Sequence, residues 1–170
     1  AKIAGIMMCY NYSLKYNLNY QSLMPPNLFG PGDNYNSINS HVLPSLIKKF
    51  SEAKKNNSKK VICWGSGKPL REFLYVEDLA EACLFIIEKW DSLLLSRIKD
   101  KNGNPLYWLN VGSNSEISIK NLAAMISELV GFEGKVVWDK SKPDGTPRKK
   151  LDTSRLENLG WSAKTNLKEG

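Results

Sequence analysis

The chain is poor in metal-binding residues: its 170 residues include one histidine and three cysteines. Cys9, Cys63 and Cys83 are odd in number, far apart and set among apolar neighbours. That pattern excludes a Cys/His zinc site and a disulfide framework. The thiols read as buried and reduced, which points to a cytoplasmic protein. No apolar run approaches the roughly 20 residues that span a bilayer, so no membrane helix is expected. Residues 1–6 are short and apolar, but polar residues follow at once and no cleavage-site pattern appears, so they do not read as a secretory leader. No G-x-G-x-x-G follows a first strand, so the phosphate-binding half of a dinucleotide fold is missing from these residues. There is no internal repeat and no low-complexity stretch.

What is present is an ordinary globular composition, 42% hydrophobic and 24% charged, with a net charge of +7. Much of the charge falls on Lys48 and Lys49, Lys54 and Lys55, Lys59 and Lys60, and residues 148–150. These clusters lack interleaved aromatics and fall at helix ends and in loops, which argues against a nucleic-acid partner. The 54–60 run reads as solvated surface; Lys49 and the 148–150 cluster fit that reading less well.

Ile3, Ile6, Met7, Tyr10 and Leu14 recur at helical spacing, predicting an amphipathic helix over 1–16. Nothing before Lys2 caps it, so the chain is expected to begin within a helix. Residues 20–24 read as a strand ended by Pro25 and Pro26, which cannot donate ladder hydrogen bonds. Residues 27–40 read as a loop, with Ser40 capping a helix whose Leu43, Leu46, Ile47 and Phe50 share a face. Residues 61–64 and 73–76 read as strands around a turn at 65–69. A helix capped by Asp78 follows, with Leu79, Cys83, Ile86, Ile87 and Trp90 inward. A charged loop over 97–105 leads to a strand at 107–111. Ser118 caps a helix with a Leu122, Ile126, Leu129 stripe; a strand at 136–138, a loop at 142–148 and a short helix at 153–160 complete the chain. Alternating strands and helices predict an α/β fold.

Several loops carry groups suited to a phosphorylated, hydroxylated ligand. Arg71 follows a Gly-x-Gly turn, and its planar fork can clamp a diphosphate. Trp64, just before that turn, can stack on a base or a sugar. The 144–149 loop offers the Asp144 carboxylate and cations that include Lys149. An electrostatically decorated surface would look the same, and the residues alone leave both readings open.

The ordered motifs are narrower. NLFGPGDN (27–34), SHVLP (40–44), VICWGSGKPLR (61–71), EFLYVED (72–78), NVG (110–112), SKPDGTPRK (141–149) and DTSRLENLGW (152–161) together resemble the GDP-L-fucose synthases. Some of these elements mark the wider extended short-chain dehydrogenase superfamily; SHV, WGSGKPLREF and SKPDGTPRK are narrower. The resemblance implies the C-terminal part of a Rossmann-type enzyme with its smaller α/β substrate-binding domain. Residues 1–30 would close the dinucleotide-binding domain and 31–170 would form mainly the substrate domain, with segments such as 61–90 returning to the Rossmann sheet.

By that resemblance, Lys2 is the lysine of a Tyr-x-x-x-Lys pair, binding the nicotinamide ribose of NADPH and lowering the tyrosine's pKa. The tyrosine would fall just upstream of Ala1, so these residues alone are expected to be inactive. Pro25, Pro26, Asn27 and Leu28 would line the cofactor, with Asn27 also on the sugar. His41, the only histidine, would serve as acid in epimerisation and touch the cofactor. Lys49, Trp64, Arg71, Asp144 and Lys149 would bind substrate. Two departures stand out: Lys49 replaces a common arginine and loses bidentate geometry, and Pro26 replaces a common threonine. Without the resemblance, Lys2 would read as an exposed lysine and Pro25 and Pro26 as strand terminators.

The implied reaction is epimerisation at C3 and C5 of GDP-4-dehydro-6-deoxy-D-mannose, then reduction at C4 by NADPH. A cytoplasmic homodimer through the Lys2 helix is implied as well. The alternatives are another NAD(P)-dependent nucleotide-sugar epimerase or dehydratase, or a non-catalytic nucleotide-sugar or nucleic-acid binding module.

Overall fold

The computed structural model describes residues 1–36, 40–89 and 98–170. The fold is α/β, and its centre is a pair of parallel strands, β2 (Asn27–Phe29) and β4 (Leu70–Tyr75), aligned Asn27 to Phe73 and Phe29 to Tyr75. Strand side chains alternate between faces. Phe29 and Phe73 therefore enter one core, while Leu28 and Leu74 face the other.

The first core joins α2 (Val42–Lys55) to α4 (Ile119–Val130). Leu43, Leu46 and Phe50 pack there with Leu122, Ile126 and Phe132, beside Val61 and Cys63 of β3 (Lys60–Trp64). The second core joins α3 (Val76–Lys89), β5 (Trp108–Asn110) and α5 (Ser154–Asn158) through Ala82, Ile86, Leu109, Val111, Leu156 and Trp161. β1 (Ser22–Met24) runs parallel to β5, and β3 runs parallel to β7 (Lys135–Asp139). β4 also pairs antiparallel with β6 (Glu116–Ser118) and parallel with β8 (Arg148–Lys149).

Several expectations change. Residues 27–29 are a strand and not loop, because β4 supplies a hydrogen-bonding partner; β8 arises likewise where the expected 142–148 loop ends. His41, not Ser40, occupies the cap position of α2. α3 begins at Val76, and Asp78 in its first turn is buried, accepting from the Thr165 amide (2.9 Å) and hydroxyl (3.2 Å). It therefore fastens a distant segment and is not a helix cap. Ile87 and Leu129 are exposed, not inward. Cys63 is buried, and burial pushes its thiol pKa up against the lowering effect of Lys49; Cys9 and Cys83 are only half-buried. Trp90 lies outside the described residues. Ser118 caps α4 as expected, accepting from the Asn121 amide at 3.1 Å. α1 (Lys2–Tyr16) forms as predicted, yet Ser13 is its one buried residue, and Ile3, Met7 and Leu14 are exposed.

Glu72 lies fully buried in β4. Its Oε1 accepts from the Asn114 amide (3.0 Å) and its Oε2 from the Leu151 amide (2.8 Å). A side chain at Gly112 would collide with Oε1, so glycine there makes room for the carboxyl.

Exposed carboxylates tie the loops. Asp100 accepts from the Asn102 and Asn104 amides, Asp152 from the Ser154 amide, and Asp139 from the Ser141 amide and hydroxyl. Asp144 accepts from the Ser66 amide and hydroxyl, and Glu116 takes both Nε and Nη2 of Arg148. Hydrogen bonds hold all five carboxyls below the usual carboxylate range. The leading donors are the Asn104 backbone for Asp100 and the side chains of Arg148, Ser141, Ser66 and Ser154 for the others.

Two outcomes follow. Glu72→Ala strands two buried amides and should cost about 2–4 kcal/mol in urea unfolding; Glu72→Gln, which keeps an acceptor, should cost less. An alanine midpoint equal to wild type would show that Glu72 is not structurally required. The depressed carboxyls contribute fully above their unfolded pKa, about 4, and lose that contribution as pH falls through their lower folded values. Tm should therefore hold from about pH 5 to 7 and fall below about pH 4. A Tm that stays flat through strong acid would refute this assignment.

Candidate functional site

The candidate side chains fall into two groups. The first lines a cleft of about 690 Å3 between the start of α1, the β1–β2 connection and the start of α2. Lys2, Pro25, Pro26, Asn27, Leu28 and His41 all lie on its wall, so every residue expected at the cofactor is brought to one place. Pro25 and Pro26 end β1 and turn the chain into β2, which sets Asn27 and Leu28 along the wall. His41 sits before α2 in extended backbone (φ −68°, ψ 168°), and its imidazole makes no capping hydrogen bond. Asn27 is partly spent: its Nδ2 donates to the Glu72 carbonyl at 3.0 Å, leaving the amide oxygen for a ligand.

Asp33 is a wall residue not singled out from the sequence, although it lies inside the NLFGPGDN motif. Its Oδ1 accepts from the Asn34 amide at 2.7 Å, whereas its buried Oδ2 has no hydrogen-bond partner among the described residues. An acceptor without a partner in a cleft also lined by a lysine and a histidine suits a polar, hydroxyl-bearing ligand.

The second group surrounds the 65–71 segment. Gly65 (φ +80°) and Gly67 (φ +74°) take left-handed backbone. A Cβ at Gly65 would strike the Asp144 carboxylate, and one at Gly67 would lie 2.8 Å from Trp138. The turn is held by bonds from the Ile119 and Lys120 amides to the Pro69 and Gly67 carbonyls. Past it, Arg71 is half-buried on β4, with Nη1 donating to the Leu70 carbonyl at 2.7 Å. Lys149 of β8 is the register partner of Arg71, so two cations stand on adjacent strands about 4.8 Å apart. Asn27 pairs with Phe73, two residues beyond Arg71 on the same face, which puts it about 8 Å from Arg71 by strand geometry.

Trp64 projects into solvent with 66% of its surface exposed. Lys49 of α2 stands over its ring, with Nζ 5.6 Å from the centroid. Both oxygens of Asp144 are engaged by Ser66, at 2.5 and 2.7 Å, so it fastens the 139–149 strap to the turn. Ser66 and Lys142, whose Nζ lies 5.5 Å from the Trp64 centroid, also belong to this group. Both lie inside quoted motifs, but only the fold-back of the strap shows what they touch.

Among the described residues no cluster of His, Cys, Asp or Glu could hold a metal ion, and no helix is long and apolar enough to cross a membrane.

The chain is similar to several known proteins. The chain is 50% identical over 170 residues to "Probable GDP-L-fucose synthase 1" of Oryza sativa subsp. japonica, covering all of this chain and 48% of that protein. It is 46% identical over 171 residues to the GDP-L-fucose synthase of Escherichia coli (strain K12), again covering all of this chain and 52% of the relative. The chain thus spans about half the length of the curated relatives it matches. Among solved structures, MlghC, a GDP-mannoheptose C4 reductase from Campylobacter jejuni with NADP bound, superposes with a TM-score of 0.82. It is 35% identical, over 99% of this chain and 52% of that one. Residues 1–98 match the NAD dependent epimerase/dehydratase family, and the chain belongs to that family.

Proposed function

We propose that these residues form the sugar-nucleotide half of a GDP-L-fucose synthase, which epimerises GDP-4-dehydro-6-deoxy-D-mannose at C3 and C5 and reduces it at C4 with NADPH. The observation that carries this reading is the convergence of Lys2, Pro25, Pro26, Asn27, Leu28 and His41 on one cleft, with Arg71 a short step across β2–β4. The relatives named for GDP-sugar chemistry, one of them holding NADP, support the same substrate and cofactor.

The cleft fits the nicotinamide-ribose end of NADPH: it is large enough, it mixes proline and leucine walls with an ammonium and an imidazole, and it carries an unpartnered acceptor. When bound, NADPH supplies the hydride for the reduction. Lys2 contributes a positive charge that holds ribose hydroxyls and favours the anionic form of an acidic neighbour. His41 presents an imidazole able to give a proton to a carbon made acidic by the adjacent 4-keto group. The Asn27 amide oxygen orients a hydroxyl. Arg71 and Lys149 hold the diphosphate, Arg71 through its two-pronged fork and Lys149 as a point charge. Trp64 gives the nucleotide an apolar face, and Lys49 adds charge beside it. Asp144 reaches the substrate only if it releases Ser66; otherwise it serves by fixing the strap.

Residues 1–30 fall to the dinucleotide-binding domain in this reading and 31–170 mainly to the substrate domain. The exposed Ile3, Met7, Met8 and Leu14 of α1 support a homodimer through that helix. The free cysteines favour a reducing, cytoplasmic setting.

Calorimetry tests the reading. GDP should bind at micromolar affinity and at least about tenfold more tightly than dTDP, a difference of about 1.4 kcal/mol. Arg71→Ala should weaken GDP by roughly tenfold or more, and Arg71→Lys should fall between, because charge survives without the fork. Equal binding of GDP and dTDP would point to a different nucleotide sugar, and indifference to Arg71 would remove the diphosphate site from this strand.

A further inference from the structure

The strap between β7 and β8 is pinned at two points, and what lies between the pins is aimed. At one end Asp139, the register partner of Trp64, accepts from the Ser141 amide (3.0 Å) and hydroxyl (2.6 Å). Its carbonyl takes the Gly65 amide (2.9 Å) and the Lys142 amide (3.2 Å). At the other end Asp144 grips Ser66 through both carboxylate oxygens. Lys142 sits between these pins, with Nζ 5.5 Å from the centroid of the Trp64 ring.

Lys49 reaches the same ring from α2, at 5.6 Å. Two ammonium groups, 93 residues apart in sequence, therefore converge on one exposed indole. Neither forms a salt bridge among the described residues. Asp139 faces Lys142 closely enough to feel its charge, and its Oδ1 accepts from both the amide and the hydroxyl of Ser141. The ring attracts each ammonium modestly. An anion seated against the indole can draw a charge-assisted contact from each ammonium.

We propose that Lys142 is a further ligand-binding residue, which with Lys49 forms a two-ammonium clamp over Trp64 for the phosphate groups of a nucleoside diphosphate. The inference rests on the GDP-sugar reading and deepens it. In that reading Arg71 and Lys149 hold the diphosphate from the sheet, and Lys142 closes on it from the strap. The strap's own tethers, Ser66 with Asp144 and Ser141 with Asp139, are positioning groups that keep Lys142 over the ring.

The test is calorimetry on the full 170-residue chain with GDP and guanosine, comparing wild type, Lys142→Ala, Lys142→Arg and Arg71→Ala. Lys142→Ala should weaken GDP about tenfold and guanosine less than about twofold, while Lys142→Arg restores GDP to near wild type. The dependence of GDP affinity on salt should be shallower in Lys142→Ala, since one cation is gone. Lys142 is exposed, so its variants should keep the wild-type circular dichroism spectrum. If Lys142→Ala binds GDP within twofold of wild type while Arg71→Ala loses it, the clamp is wrong and the GDP-sugar reading stands. A guanosine loss equal to the GDP loss also overturns the clamp, because the lysine would then serve the base or the ring. If wild type binds no GDP, the clamp and the reading fall together.

Discussion

The buried carboxyl of Glu72 is the constraint on which the rest of the arrangement depends. A fully buried acidic side chain is tolerable only with partners, and here two backbone amides, from Asn114 and Leu151, supply them. Those amides belong to segments 42 and 79 residues away in sequence, so one side chain fixes three parts of the chain at once. Its position has a direct consequence for the site. Arg71 precedes Glu72, Lys149 lies two residues before Leu151, and the Glu72 carbonyl holds Asn27. The relative placement of these three candidate site residues is therefore set by a buried network, which specifies geometry better than exposed contacts do.

The strand pair then divides labour by alternation. Phe29, Phe73 and Tyr75 are committed to the α2–α4 core and Leu28 and Leu74 to the α3–α5 core. Asn27 and Arg71 belong to the same rows of side chains but stand at the beginnings of their strands, where the cores end and solvent begins. A polar group there keeps its neighbours in register with the packed part of the strand without itself being buried. Rigid strands set such residues more closely than a loop would.

What was legible in the sequence follows the same division. α2 and α4 carry their packing partners as a 3.6-residue stripe, and Ser118 announces α4 with its hydroxyl, so both could be read locally. β2 and β8 could not: strands of three and two residues have too little period to register, and both exist because β4 offers edges on which to form. Asp78 resembles a helix cap in sequence because its partner, Thr165, is 87 residues away. Leu129 and Ile87 continue apolar stripes beyond the width of the surface that receives them. In the site, Arg71 and Trp64 could be picked out from residue chemistry, but Lys2, Asn27 and His41 required the family resemblance, since only the fold brings them to one cleft. Lys142 and Ser66 could not be assigned roles, because nothing local says that the strap folds back onto β3.

The charges around the strap are distributed unevenly, in keeping with the proposed small anionic ligand. The two cations of β8 have opposite fates. Arg148 is neutralised by a two-bonded pair with Glu116 on one face, while Lys149 stands beside Arg71 on the other. Nearby Asp139 and Asp144 carry negative charge; Asp144 accepts from Ser66 through both oxygens and Asp139 from Ser141 through Oδ1. Positive charge is left on Arg71, Lys149, Lys49 and Lys142, all close to the 64–71 segment. A nucleic-acid surface spreads its cations along a phosphate track. Here they converge on one turn and one exposed indole, a geometry that matches the compact charge of a diphosphate attached to a flat ring.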